Sequence, residues 1–220
     1  MTQEALIVGA APRLGSMEFY RALLARFELV IACDAAAEWA LSLGRAPQYA
    51  IGDFDSAARG AAARLAAAGV EVLAFPSEKD ETDLDLAAAH ARALGVESLA
   101  FTAAFSGRLD HTLAALGTMR RHAACGPVAF EPDFSAWLLA QEGRAALTVD
   151  APAGAVVSVV ALEPVRGLSV RNARFSADSI AVDLLSGRTI SNESVGEPVR
   201  VSLQEGSALV MLLHSLQNTL

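Results

Sequence analysis

Carboxylates recur at short spacings in the first half of the sequence: Asp34 after LVIAC, Asp53 and Asp55 in GDFDS, Asp80 and Asp83 in KDETD, and Asp110 in GRLDH. Lys79 and Arg108 each stand within two residues of one of these acids. Acids that converge repel one another, and at an effective dielectric of about 20 two charges about 4 Å apart cost on the order of 4 kcal/mol. A hard cation relieves that cost. Mg²⁺ fits such oxygen donors, because it takes one or two carboxylates and completes its shell with water and phosphate oxygens. Lys79 and Arg108 can then meet the phosphate oxygens that the metal leaves exposed. Together these groups suit phosphoryl-type transfer, in which positioning and charge neutralisation carry most of the catalysis.

The elements around these residues explain how acids far apart in sequence can meet. Short apolar runs at 5–8, 29–32, 49–51, 70–74, 98–102, 128–130 and 136–139 alternate with segments of helical length at 16–26, 35–43, 57–68, 83–94 and 111–122. That alternation predicts a parallel sheet covered by helices. Each acid of the set follows the end of a predicted strand, and the carboxyl edge of such a sheet is where ligand crevices form. Within 83–94 the apolar positions 84, 87, 88, 91 and 94 share one helical face. Thr82, with Asp85 three residues on, resembles a capping box, so Asp85, Glu81 and Glu78 are read as capping or solvated acids.

From about residue 143 the texture changes to short runs such as AVVSVVAL and EPVRVSL, broken by Gly, Asn, Ser and Pro and alternating in period two. The expected organisation is a Rossmann-like, parallel-sheet α/β catalytic domain over 1–142, followed by an antiparallel β-sandwich domain over 143–220.

Composition narrows the function further. The 220 residues are 53% hydrophobic and 19% charged, as in a packed globular protein. The net charge of −8, with no basic run interleaved with aromatics, argues against a nucleic-acid partner. No window is long and apolar enough to span a membrane, and the opening MTQEALIVGAAPR lacks the regions of a secretion signal, so a cytoplasmic location is expected. Cys33 and Cys125 stand in no ligand spacing and are expected to be buried free thiols. GAAPRLG at 9–15 is neither a P-loop nor a dinucleotide fingerprint, and no nucleophile elbow occurs. Of the four histidines only His111, next to Asp110, is placed for chemistry.

Taken together, ACD at 32–34, GDFDS at 52–56, KDETD at 79–83, SGRLDHTLA at 106–114 and TISNE at 189–193 resemble the thiamine pyrophosphokinase family in order and spacing. The resemblance covers nearly the whole chain. It implies a homodimer with active sites between subunits and Mg²⁺-dependent transfer of pyrophosphate from ATP to thiamine, with release of AMP. By position it assigns the metal to Asp53, Asp55 and Asp83, with Asp80 and Asp110 as further catalytic acids. It places Asp34, Ser56, Lys79, Thr82, Arg108 and His111 at the nucleotide, and Ser191 and Asn192 at the thiamine ring. The chain departs from the family pattern at 34–38, where DAAAE stands for DGGAN, at Ala115, and at Val170, where the family carries an aromatic side chain. A pyrophosphokinase of the same fold with another hydroxyalkyl heterocycle as acceptor, and a non-catalytic nucleotide- or thiamine-binding homologue, are the alternatives.

Overall fold

Leu29–Cys33, LVIAC, is buried along its whole length, and Glu4–Val8 is buried from its second residue onward. Such unbroken apolar runs mark parallel strands covered on both faces. The computed structural model describes residues 3–54 and 60–214. The chain divides into two units, Met1–Thr118 and Met119–Leu220. The α/β alternation expected for the first part is present, and so is an antiparallel β-rich second part.

In the first unit the strands are β1 (Glu4–Val8), β2 (Leu29–Cys33), β3 (Tyr49–Gly52), β4 (Glu71–Ala74) and β5 (Ser98–Thr102). They lie in the order β5-β1-β2-β3-β4 with every pairing parallel. The helices are α1 (Met17–Arg26), α2 (Ala36–Ser42), α3 (Ala61–Ala67), α4 (Asp83–Ala93) and α5 (Leu109–Arg121). Ser16 caps α1, its hydroxyl accepting from the Phe19 amide at 3.1 Å. Parallel strands joined by helices bring all the strand carboxyl ends to one edge, so Asp34 and Asp53 are neighbours although nineteen positions separate them in the sequence.

Helix α4 meets the expectation from its pattern in the middle and departs from it at the ends. Ala87, Ala88 and Ala91 are buried, Leu84 is half-buried, and Leu94 forms the C-cap and is about one-third exposed, at 36%. The capping box is present in full: Thr82 Oγ1 accepts from the Asp85 amide at 3.2 Å, and Asp85 Oδ2 accepts from the Thr82 amide at 3.2 Å. Asp85 also accepts a 2.5 Å bond from the Thr118 hydroxyl of α5. Asp85 therefore fixes the start of α4 and ties it to α5.

The second unit contains β6 (Val128–Phe130), β7 (Phe134–Ala140), β8 (Ala146–Val149), β9 (Val156–Ala161), β10 (Val165–Arg171), β11 (Ala177–Val182), β12 (Asn192–Glu193), β13 (Val199–Ser202) and β14 (Ser207–Leu213). One antiparallel set runs β12-β9-β14-β7-β6 and a second runs β11-β10-β13-β8. Val159, Val210 and Leu139 of the first set share one core with Val170, Val201 and Val149 of the second. The sequence pattern places 128–130 and 136–139 within the parallel alternation, but the structure pairs β6 with β7 and β7 with β14 antiparallel. The reason is the connection: only residues 131–133 separate β6 from β7, and a parallel crossover needs a dozen residues or more. No helix among the described residues is long and apolar enough to cross a membrane.

Replacing Asp85 with Ala removes the reciprocal cap and the Thr118 bond together. The expected loss is roughly 1–3 kcal/mol, read as a lower melting temperature. Thr118→Val and Asp85→Ala should be less than additive in the double variant, because they share one hydrogen bond.

Candidate active site

Three non-glycine residues at or near the carboxyl ends of the parallel strands adopt left-handed backbone conformations: Asp34 after β2 (φ 46°), Phe54 after β3 (φ 55°) and Ala103 after β5 (φ 50°). Residues held there cost energy and tend to cluster where a site is built. At Asp34 the conformation is fixed from both sides, since its amide donates to the Ile51 carbonyl at 3.0 Å and its carbonyl accepts from the Ala37 amide at 3.1 Å. Its carboxylate accepts from the Phe54 amide at 3.1 Å. A Cβ on Gly52 would stand 2.0 Å from Asp34 Oδ1, so only glycine permits this approach.

Asp83 opens α4, where the positive end of the helix favours a carboxylate. Lys79 lies one turn back and pairs with it at 3.1 Å. Burial raises the Asp34 carboxyl from its ordinary 3.8 to about 6; the Phe54 amide opposes the shift, and the hydrogen bond and charge of Asp83 and the charge of Asp53 add to it. Burial lowers the Lys79 ammonium, but the hydrogen bond to Asp83 and the charges of Asp83, Asp53 and Asp34 outweigh it and hold the group above its usual range. The acids of the β2, β3 and α4 segments thus act on one another, with Lys79 between them.

A cavity of about 520 Å³ in the first unit is lined by Asp34, Lys79, Thr82, Asp83, Arg108 and His111. These come from three of the motifs read in the sequence and were all expected at the nucleotide or the metal. Arg108 binds Asp110 through two hydrogen bonds, at 2.6 and 3.1 Å, on an exposed surface. The Arg108 hydrogen bonds pull the Asp110 carboxyl down to about 2. Asp53 is half-buried beside the cavity, and Asp80 is exposed and does not line it. Asp55 and Ser56 lie outside the described residues. Among the described residues no group of three or more His, Cys, Asp or Glu side chains is arranged to hold a metal ion. Cys33 and Cys125 are buried free thiols, as expected.

Sequence reasoning missed the wall formed by Ala10, Ala11 and Pro12. The Gly9 amide donates to the Thr102 carbonyl and the Ala11 amide to the Ala103 carbonyl, each at 2.9 Å, and the Ser106 hydroxyl donates to the Pro12 carbonyl. A Cβ at Gly9 would come within 2.4 Å of the Ala103 carbonyl oxygen. The signal was the run of small residues directly after β1. Neither tryptophan lines this cavity: Trp39 takes the Arg13 guanidinium over its face at 4.3 Å and the Tyr20 ring against its edge at 5.0 Å, and Trp137 packs against the core of the second unit.

The second unit has its own cavity of about 330 Å³, which includes Val170, Phe175, Ile190 and Asn192 in its lining. Asn192 is committed to the backbone of Phe175: its Oδ1 accepts from that amide at 2.9 Å and its Nδ2 donates to that carbonyl at 2.8 Å. The ring so positioned is 66% exposed. Ser191 adopts φ 55° and its amide donates to the Ser158 hydroxyl at 2.9 Å. Val170, at the family's aromatic position, is buried in the core.

Residues 20–127 match the family model for the thiamin pyrophosphokinase catalytic domain. The fold is shared with thiamine pyrophosphokinase from Bacillus subtilis (TM-score 0.82, 22% identity, 97% of this chain and 100% of that one). It is shared as well with thiamin pyrophosphokinases from Geobacillus thermodenitrificans (0.80, 23%, 98% and 99%) and Candida albicans (0.79, 13%, 97% and 90%). No curated protein matches the chain in sequence. The resemblance carried by the sequence motifs is borne out by the family match and these neighbours.

The raised Asp34 carboxyl gives a pH dependence of defined sign. Between about pH 4 and pH 6 the folded chain keeps a proton that the unfolded chain has released, so this group's contribution to stability falls as pH rises through that window. Asp34→Asn removes it. In chelating buffer the variant should gain melting temperature relative to wild type as pH rises from about 4 to about 6 and level off above. A constant difference across the window would rule out the raised carboxyl.

Proposed function

We propose that the chain is an ATP-dependent thiamine pyrophosphokinase. The observation that carries this reading is the meeting of Asp34, Lys79, Thr82, Asp83, Arg108 and His111 around one cavity within the segment that matches the catalytic-domain family model. Asp53 and Asp83 offer hard oxygens that repel one another and add to the burial that raises Asp34, a donor set that fits Mg²⁺ bound by one or two carboxylates, with phosphate and water completing the shell. Mg²⁺, when bound, supplies positive charge against the phosphate oxygens. Asp55 joins this set by its place in GDFDS.

The chain's own residues then divide the work. Lys79 offsets part of the carboxylate charge and stands ready for a phosphate oxygen once Asp83 faces the metal. Arg108, exposed and held by Asp110, is a bidentate donor at the cavity mouth, with His111 beside it. Ala10, Ala11 and Pro12 form the close wall against which the nucleotide lies. The primary hydroxyl of thiamine attacks the β-phosphorus of ATP, the bond from that phosphorus to the AMP oxygen breaks, and a carboxylate of the cluster takes the hydroxyl proton.

The acceptor ring occupies the cavity of the second unit, against Phe175 and above Val170. Asn192 acts by fixing the Phe175 backbone. An exposed aromatic at this rim takes the place of the family's aromatic at position 170. The homodimer is part of the same proposal, since Leu184, Leu185 and Val195 of the second unit are all more than half exposed and would be covered by a second copy. The cytoplasmic location expected from the sequence is part of the same proposal, and a reaction that consumes ATP is compatible with it.

Purified protein with ATP, Mg²⁺ and thiamine should give AMP and thiamine diphosphate in equal amounts. AMP formed only with a different hydroxyalkyl heterocycle would replace the acceptor, and ligand binding with no AMP from any acceptor would remove the reaction. Asp83→Asn and Asp53→Asn should each lower kcat by roughly 100-fold or more, the scale of losing one preorganised electrostatic group. Phe175→Ala should raise KM for thiamine by roughly 2- to 12-fold, the equivalent of about 0.5–1.5 kcal/mol of aromatic contact. KM for ATP should stay unchanged in that variant.

A further inference from the structure

We propose that the outer face of the β11-β10-β13-β8 sheet carries a binding groove for a phosphate-class oxyanion, distinct from both cavities above. The groove, of about 370 Å³, includes Ala146, Thr148, Ser169, Arg171, Arg200 and Ser202 in its lining. Register explains its make-up. Across the sheet, Ser169 pairs with Ser202 and Ser202 with Ala146, and Arg171 pairs with Arg200 and Arg200 with Thr148. The alternate row, Leu147, Val201 and Val170, packs into the core, so these small, hydroxylated and cationic side chains all face outward together.

Two guanidiniums directly opposite each other on neighbouring strands repel, and a sheet gains nothing from such a pair without a negative partner. Asp178 neutralises one of them, pairing with Arg171 at 3.0 Å. Arg200 has no carboxylate partner among the described residues, and no acidic side chain lines the groove. The result is a net positive pocket on a chain whose overall charge is −8.

The floor supplies donors as well. Ser169 Oγ accepts from the Ser179 amide at 3.0 Å, which leaves its own proton to donate, and the Ser202 and Thr148 hydroxyls have no partner among the described residues. A pair of planar forks above three hydroxyls matches the tetrahedral oxygens of a phosphoryl group, which arginine binds through paired hydrogen bonds. The volume suits one or two phosphoryl groups. The shared chemistry is that of orthophosphate, pyrophosphate or the diphosphate end of a nucleotide.

The test is a titration of the isotope-labelled full chain with pyrophosphate in the absence of metal, followed by NMR at backbone amides and arginine Nε. Saturable shifts are expected at 146–148, 169–171 and 200–202, and Arg171→Gln and Arg200→Gln should each weaken this binding by roughly 10-fold or more. Both positions are exposed, and removing one of two opposed like charges leaves the sheet intact, which unchanged spectra elsewhere would verify. Arg108→Gln, in the first-unit cavity, should leave these shifts in place, so failure of the groove and failure of the catalytic reading are told apart. ATP competing with pyrophosphate identifies the diphosphate as the recognised part. Absence of saturable shifts at these residues, an affinity unchanged from wild type in both arginine variants, or saturation by ATP but not by pyrophosphate would overturn the proposal.

Discussion

Mutual repulsion among Asp34, Asp53 and Asp83 is the constraint around which the first unit is arranged. Nothing in an isolated turn would hold three carboxylates within electrostatic reach, and left to themselves they would separate into water. The parallel sheet removes that freedom by delivering β2 and β3 side by side and packing α4 against both. Closeness is enforced at the backbone: Gly52 gives up its side chain so that Asp34 can stand against it, and Asp34 accepts a left-handed conformation to aim its carboxylate there. Burial raises the Asp34 carboxyl, the crowding by Asp83 and Asp53 adds to the shift, and Lys79 offsets part of the gathered charge.

The capping box at Thr82 belongs to the same arrangement. Asp83 and Asp85 are two residues apart on one helix, of the same chemical type, and they do opposite things. Asp85 turns back to the Thr82 backbone and across to Thr118, so its charge is spent on hydrogen bonds that fix the helix start. Asp83 faces the cavity beside Lys79. The first acid can be held in a costly place because the second secures the turn that presents it.

Much of this was legible in the sequence because it depends on local rules. Strand runs followed by acids, and a Thr-x-x-Asp start to α4, are patterns with a fixed physical meaning, and the elements fell where those patterns put them. Three features arise only in the tertiary structure. The direction of β6 and β7 depends on a three-residue connection whose consequence outweighs their apolar composition. The Ala10–Pro12 wall is made by backbone packing against Ala103, which side-chain chemistry does not announce. Arg171 and Arg200 are twenty-nine positions apart, and only the antiparallel register makes them opposite neighbours.

The departures from the family pattern acquire different meanings once placed. Ala35, where the pattern has glycine, adopts φ −60° and ψ −15°, a conformation any residue takes, and Ala36 is a buried first residue of α2. The strained position is Asp34 itself, so the two alanines cost the backbone nothing, and neither lines the cavity. Val170 is a different case. Its side chain points into a packed core, where a larger ring would have to displace its neighbours. An aromatic surface for a heterocycle must then come from outside that core, and Phe175, held by the two hydrogen bonds of Asn192, is the ring the second unit provides at the same cavity. On the proposed reading, Asn192 acts on the acceptor only through the backbone it positions, and the acceptor is the heterocycle that fits between that exposed ring and the valine floor.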